Sequence, residues 1–419
     1  MDILRIATAG SVDDGKSTLI GRLLFETNSI TGDKIEALEA ASKRKGLNFL
    51  DLSLLTDGLI AEREQGITID VAHIYFSTPK RKYIIADTPG HFEYTRNMVT
   101  GASNTSVSII LIDARNGVVE QTKRHFYISS MLRIKNIIVA VNKMDLVNYS
   151  EDRFNEIKDD FTQLAEQVSF KGQNIEFIPI SSLFGENVVK KSTETPWYDG
   201  NSLLETLEDL DNQIAPISEL PARFPVQVVI RPKTDEFHDY RGYGGKVSSG
   251  SFLVGDLIEA LPSGQISKIK SIEKFNQNLE VAHAKESVVI TLENDIDVSR
   301  GNMIVKVGQQ PEAKKEIDAK VCWLDNQILK VGKTYLLQHG INRVKAKITT
   351  INSLIDIKNM TLDNSPPSDG GIKLNEIGWI SIKTASPVYA DKYIDNPANG
   401  AFILIDEMTN TTVGVGFVE

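Results

Sequence analysis

Gly10-Ser11-Val12-Asp13-Asp14-Gly15-Lys16-Ser17 fits the pattern G-x-x-x-x-G-K-[ST] at every fixed position. It follows an apolar run, Ile3 to Thr8 (ILRIAT), and precedes Thr18 to Leu24 (TLIGRLL), whose apolar spacing is helical. A glycine-rich turn between strand and helix lets backbone N–H groups converge on phosphate oxygens, and the helix N-terminus adds positive potential. Gly10 to Thr18 are therefore the candidate phosphate-binding residues. Lys16 supplies a point charge for the β- and γ-phosphates, and the Ser17 hydroxyl is placed to ligate Mg²⁺.

Outward from this loop, short apolar runs alternate with longer amphipathic segments as far as about residue 210. The runs are Tyr83 to Asp87 (YIIAD), Val107 to Asp113 (VSIILID), Asn136 to Asn142 (NIIVAVN) and Glu176 to Ser181 (EFIPIS). Apolar residues at consecutive positions mark strands buried on both faces. Ser202 to Leu210 (SLLETLEDL) has helical spacing, and the charged, alanine-rich stretch from Thr31 to Glu64 is expected to be helical too. Together they predict an α/β P-loop domain with a mostly parallel sheet over residues 1–215. Pro216 to Pro225 (PISELPARFP) reads as a linker. Beyond it, short strands punctuated by glycine and turn signals predict two antiparallel β-barrel domains, 216–309 and 310–419.

Three further motifs end predicted strands. Asn142-Lys143-Met144-Asp145 can read a base: a carboxylate at Asp145 accepts from both N1–H and the 2-amino group of guanine, and adenine would leave it unpaired. A site of that kind can reject the wrong partner by about 10⁴–10⁵. Asn142 and Lys143 would brace the loop, with the lysine stem over the base. Ser181-Ser182-Leu183, after the next strand, would offer a backbone N–H to the guanine oxygen. Asp87-Thr88-Pro89-Gly90-His91 puts a carboxylate beside the phosphate loop to hold Mg²⁺ and a glycine that allows approach to the γ-phosphate. His91 is the candidate for orienting the attacking water, standing where other GTPases have glutamine. Upstream, Thr68 in Arg63 to Asp70 is a candidate second Mg²⁺ ligand, present only while γ-phosphate holds the segment. The catalytic candidates are thus His91 and Lys16. The five other histidines, His73, His125, His238, His283 and His339, read as surface or satisfied core residues.

Composition bounds the partners. The 419 residues carry 46 Lys+Arg against 56 Asp+Glu, a formal net charge of −10. That balance, with no long basic run, weighs against a sequence-independent nucleic-acid binder. The longest apolar runs, Ile137 to Val141 and Ala401 to Ile405, are five residues each, whereas a spanning helix needs about 20. One cysteine, Cys322, excludes an internal disulfide framework. The start MDILRIATAG lacks the pattern of a signal peptide, and a cytoplasmic protein is expected.

With these residues in view, the chain resembles the translation-factor class of GTPases over its whole length, a G domain plus two β-barrels. That resemblance implies GTP as substrate, Mg²⁺, an apolar gate from Val12 and Ile67 around His91, and a role for Asp13 near the β–γ bridge with a monovalent cation. Within the class the chain is more similar to the GTPase subunits of bacterial sulfate adenylyltransferases. Their phosphate loop reads as Gly10 to Leu24 does here. Further similar runs are Asp57 to Thr78, Arg81 to Ser103, Leu111 to His125, Pro196 to Glu208, Arg223 to Pro232, Asp295 to Met303 and Asn399 to Phe417.

What this implies is a regulatory GTPase whose hydrolysis is coupled to synthesis of adenylylsulfate and pyrophosphate from ATP and sulfate. The adenylyl-transfer site would lie on a separate small subunit, in a heterodimer or higher assembly. The chain begins at its first strand and ends after the second barrel, so neither an N-terminal extension nor an adenylylsulfate kinase domain is expected. The motifs also leave open an elongation-factor-like carrier of aminoacyl-tRNA, or a stress or assembly GTPase on the same fold. Asp14 in place of the histidine of elongation factor Tu, the net charge and the barrel sequences weigh against the carrier.

Overall fold

The computed structural model describes residues 2–44, 46, 50–55, 71–88, 95–211, 217–232, 240–275, 277–365 and 370–419, the side chains of 95, 96 and 100 excepted. These fall into two compact units, 1–212 with 356–361, and 213–355 with 362–419. Thr68, Pro89, Gly90 and His91 lie outside the described residues, as does Ile67.

The first unit runs β1 (Ile3–Ala9), α1 (Lys16–Glu26), α2 (Gly32–Arg44), β2 (Ala72–Ser77), β3 (Lys82–Asp87), α3 (Thr95–Ala102), β4 (Val107–Asp113), α4 (Glu120–Met131), β5 (Asn136–Asn142), α5 (Glu151–Val168), β6 (Asn174–Pro179) and α6 (Leu203–Asp209). Its sheet has the order β2-β3-β1-β4-β5-β6. All neighbours are parallel except β2 and β3. Every residue of β4 and β5 is buried, as expected for strands covered on both faces. The antiparallel β2 is an edge strand, with His73, Tyr75 and Ser77 exposed and Phe76 turned in to stack on Tyr83 at 4.4 Å. The core joins Leu4, Ile6, Ile85, Ile109 and Leu111 of the sheet to Leu19, Ile20 and Leu23 of α1. Burying each such side chain contributes about 1.5–3 kcal/mol before conformational entropy is counted.

Helix ends follow local chemistry. Ser150 accepts from the Arg153 N–H at the start of α5, whose buried Phe154, Ile157, Phe161 and Leu164 repeat at three and four. Ser202 and Glu205 form a reciprocal capping box on α6, so the predicted helix starts one residue later, after its cap. The expected helix from Thr31 to Glu64 is a helix over α2 and a 3₁₀ turn at Leu52–Leu55; residues 56–64 lie outside the described ones.

The strand order places the phosphate loop. The chain leaves β1 and reaches its parallel neighbours β3 on one side and β4 on the other, opening a crevice at the strands' carboxyl ends. Gly10, Asp87, Asp113, Asn142 and Ser181 all stand at or just beyond those ends.

The second unit contains two closed barrels, all antiparallel. The first is built from β7 (Arg223–Ile230), β8 (Gly242–Lys246), β10 (Leu257–Leu261), β11 (Gln265–Lys274), β14 (Ser287–Leu292) and β15 (Met303–Lys306), with β9 (Ser251–Leu253), β12 (Gln277–Leu279) and β13 (Val281–His283) as short additions. The β10–β11 pairing closes it. The second uses β16 (Lys314–Trp323), β17 (Thr334–His339), β18 (Asn342–Asp356), β20 (Ile377–Val388), β21 (Ala401–Ile405) and β22 (Thr412–Val418), with β19 (Thr361–Asp363) beyond β18. Here β17 pairs with β18 to close the ring. Closure removes the unpaired strand edges that invite aggregation. Each barrel has its own apolar core, around Phe224, Tyr243 and Ile290 in one and Trp323, Tyr335 and Ile380 in the other.

A buried ion pair links the barrels. Arg223, at the start of β7 and 2% exposed, donates from Nε and Nη2 to both oxygens of Asp391 at 3.0 and 2.8 Å. Its Nη1 donates to the carbonyls of Ala222 and Gln309. Asp391, between β20 and β21, also accepts from Asn396 and Asn399 at 2.9 Å. With every partner present the pair is satisfied, and removing one charge strands the other. Asp391→Leu is expected to destabilise the unit by about 3–5 kcal/mol. Calorimetry of Asp391→Leu and of the double variant Arg223→Met/Asp391→Leu checks this, since the double variant should recover most of the lost stability.

Candidate functional site

The phosphate loop is held open by its own side chains. Gly15 has φ +94°, and a Cβ there would sit 2.4 Å from Asn142 Nδ2. Asp13 also takes a positive φ, at +68°, and is exposed with Val12 at the loop's tip. Asp14 turns inward, 5% exposed, and accepts from the Ser11 N–H at 2.5 Å. Burial pushes the Asp14 carboxyl up, against the pull of that hydrogen bond and of Lys16. Lys16 is buried at the start of α1, and its ammonium donates to the carbonyls of Gly10 at 2.7 Å and Ser11 at 3.0 Å. Those two bonds aim the third N–H of the ammonium. Burial lowers the Lys16 pKa, and Asp87, Asp14 and Asp13 work the other way. Ser17 and Thr18 follow in the first turn of α1, half-buried.

Asp87 ends β3, 2% exposed, and accepts from the Thr8 hydroxyl at 3.2 Å. The Thr88 hydroxyl donates to the Thr8 carbonyl at 2.6 Å, locking β3 onto β1 just before Pro89. A buried carboxylate and the Ser17 hydroxyl are hard oxygen donors, the kind Mg²⁺ takes.

Asn142 is the junction between loops. Its Nδ2 donates to the Asp14 carbonyl at 2.7 Å, and its Oδ1 accepts from the Ser182 N–H and hydroxyl, both at 2.9 Å. The Ser181 hydroxyl donates to Asp145 Oδ1 at 2.7 Å, fixing the carboxylate expected to read guanine. The Met144 side chain is buried, 0% exposed, and its N–H donates to the Ile180 carbonyl. Lys143 has φ +62°, and its ammonium lies 2.9 Å from Asp113 Oδ2. Arg115 grips the same carboxylate from the other side through Nε and Nη2, at 3.0 and 2.6 Å. Burial alone would raise the Asp113 carboxyl, but bonds from Arg115 and Lys143 bring it down to about 2.

Asp113, Arg115 and Arg22 were not among the expected site residues. Asp113 and Arg115 sit inside LIDARNG, where one sequence offers only a strand end followed by a turn. Arg22 is a lone cation in the apolar TLIGRLL helix. In the structure Arg22 Nε donates to the Ser182 carbonyl at 3.1 Å, and Nη2 donates to the Leu183 carbonyl. His339 is a satisfied core histidine, its Nε2 at 2.9 Å from the Asn399 carbonyl. His125 departs from expectation: on α4 and 2% exposed, its Nδ1 has no partner among the described residues. Burial, with the nearby Lys16 and Arg124 charges adding, lowers its pKa to about 3.

Two outcomes follow from these geometries. Asp113→Asn should release Lys143 and weaken guanine-nucleotide binding roughly tenfold, measured by calorimetric titration, because a charge-assisted bond is lost. Asp113 stays ionised down to about pH 2, so it should impose no change on that affinity between pH 7 and 5. His125 is neutral when folded and charges when unfolded, so below about pH 6.5 the unfolded state binds the extra proton and stability falls with pH. The slope from this one group is at most about 1.4 kcal/mol per pH unit, continuing toward its folded pKa of about 3. Denaturation of His125→Leu across pH 7 to 4.5 should show a shallower decline than the wild type.

Residues 1–216 match the elongation factor Tu GTP binding domain family, and residues 316–419 match the GTP-eEF1A C-terminal domain-like family. The chain is 47% identical to the sulfate adenylyltransferase subunit 1 of Bacteroides fragilis, over 100% of this chain and 86% of that protein. It is also 47% identical to the bifunctional enzyme CysN/CysC of Mycobacterium tuberculosis, over 99% of this chain and 67% of the relative. Among solved structures, the S. cerevisiae Ski7 GTPase-like domain, bound to GTP, shares the fold at 19% identity and a TM-score of 0.53, covering 100% of this chain and 97% of that one. By its match over more than half its length and its identity to full-length relatives, the chain belongs to the sulfate adenylyltransferase subunit 1 family, in the superfamily of GTPases built on the elongation factor Tu GTP-binding domain.

Proposed function

We propose that this protein is the GTP-hydrolysing subunit of a sulfate adenylyltransferase. Hydrolysis here would be coupled to synthesis of adenylylsulfate and pyrophosphate from ATP and sulfate on a separate catalytic small subunit. The observation that carries the reading is the 47% identity to subunit 1 proteins across the whole chain. The converged phosphate and base loops supply the chemistry that such a subunit needs. No described helix is long and apolar enough to cross a membrane, and a cytoplasmic setting belongs to the same proposal.

In this reading GTP lies along the crevice, with its phosphates in the Gly10 to Thr18 loop and its base between Asn142 to Asp145 and Ser181 to Leu183. Lys16 neutralises the β- and γ-phosphates from a site whose low polarity strengthens the interaction. Ser17, Asp87 and Thr68 would hold Mg²⁺, whose charge on the phosphate oxygens assists departure of the γ-phosphoryl group. Asp13, exposed in the loop, would be the residue to hold a monovalent cation. His91 orients the attacking water, with Val12 and Ile67 screening it. Loss of γ-phosphate releases Thr68 and Gly90, and the barrels' contact with the catalytic subunit changes in response.

The test is to purify the chain with and without the catalytic subunit and measure GTP hydrolysis while ATP and sulfate are added. Hydrolysis should rise when all three are present, and His91→Ala and Lys16→Ala should each lower the stimulated rate by about 10²-fold or more. Hydrolysis indifferent to the subunit, to ATP and to sulfate would remove the sulfurylase assignment and leave a GTPase.

A further inference from the structure

Three consecutive N–H groups, of Ser182, Leu183 and Phe184, lie in the loop after β6, and one of them is left to meet a base. The Ser182 N–H is taken by Asn142 Oδ1, and the Phe184 N–H reaches the Ser181 hydroxyl at 3.4 Å. The Leu183 N–H has no partner among the described residues. Its direction is set by the carbonyl in the same peptide plane. In a trans peptide the C=O of one residue and the N–H of the next point opposite ways. The Ser182–Leu183 bond is trans, and the Ser182 carbonyl accepts from Arg22 Nε. The following carbonyl, Leu183, accepts from Nη2 of the same guanidinium. Arg22 therefore holds two successive carbonyls on the α1 side and turns the N–H groups of Leu183 and Phe184 the other way.

The docking is tight around this contact. The Gly185 N–H closes the turn onto the Ser181 carbonyl at 2.8 Å. Gly185 has φ +86°, a backbone conformation that favours glycine, and a Cβ there would stand 2.3 Å from Glu26 Oε1, so the turn lies against the side chains of α1. Glu26 in turn pairs with Arg22 one helical turn earlier, at 3.5 Å. The guanidinium is planar with its donors in a fixed fork, so it fixes the orientation of both peptides where a single contact would fix one.

We propose that Arg22 is the positioning residue for the oxygen side of guanine recognition: by gripping the Ser182 and Leu183 carbonyls it aims the Leu183 N–H at guanine O6. The assignment rests on the reading of this crevice as a guanine-nucleotide site and adds to it a division of labour. Asp145 reads the N1–H and 2-amino edge through its own carboxylate, braced by Ser181. O6 is read through Arg22, a residue on the helix that also carries Lys16 and the phosphate loop.

Calorimetric titration uses three diphosphates: GDP, inosine diphosphate (no 2-amino group) and 2-aminopurine riboside diphosphate, which lacks O6 and with it the N1–H. The lost N1–H is common to wild type and R22A, so the change in preference between the two proteins reads the O6 contact. R22A is expected to cut the preference for GDP over the 2-aminopurine analogue roughly tenfold, since the donor for O6 is no longer aimed. Its preference for GDP over inosine diphosphate should stay within about twofold of wild type. Should R22A fail to fold by circular dichroism, R22Q, which keeps two donors at shorter reach, carries the same comparison. Unchanged O6 preference, or equal weakening toward all three ligands, would overturn the role of Arg22 and leave guanine recognition intact. A wild-type protein indifferent among the three would overturn the guanine reading itself.

Discussion

The Asn142 side chain is the contact on which the nucleotide crevice depends. One amide group joins the phosphate loop, through the Asp14 carbonyl, to the loop after β6, through Ser182. It is 1% exposed, so each of these bonds is made in a setting where an unmade one is costly. The geometry is also closed against substitution from the other side. Gly15 leaves the space that the amide fills, and any Cβ at that position would meet it. The phosphate loop and the loop after β6 are thereby registered to each other by one residue at the end of a central strand. Lys143 and Asp145, next along the chain, inherit their placement from it.

Much of this was readable in advance because it is local. The phosphate loop, Asn142 to Asp145 and Asp87 lie at the ends of continuous apolar runs, so spacing along the chain and position in the sheet are the same information. The sheet itself follows from those runs, and the one antiparallel edge, β2, shows its alternation in AHIYFS once it is known to be half exposed. The contacts that escaped are those made across long separations. Arg22 meets Ser182 and Leu183 160 and 161 residues away, and Arg223 meets Asp391 168 residues away. A single arginine carries no mark of the carbonyl or carboxylate it will find, and only the folded chain supplies that pairing. Asp113 was hidden differently: it ends a strand just as Asp87 does, but its partners are Arg115, two residues on in its own turn, and Lys143 of the base loop. Met144 stands inside the same motif as Lys143 with its side chain buried, which spacing along the chain does not reveal.

Buried charge is managed in two distinct ways in this molecule. At the barrel junction, Arg223 and Asp391 neutralise each other and saturate the remaining positions with carbonyls and amides, an arrangement with nothing left to offer a ligand. In the crevice, Lys16 is buried with two donors spent on its own loop and with carboxylates near it, and the balance is left for an anion to complete. The first pattern serves cohesion, and the second serves binding.

The saturation at Asp391 also has a mechanical meaning. A carboxylate bonded by one arginine and two asparagines cannot rotate or slide without breaking several bonds at once, so the junction resists shear as well as separation. Two closed barrels fastened in this way are coupled at the junction. A displacement of one barrel is thereby handed to the other, at this point, through the bonds of a single carboxylate.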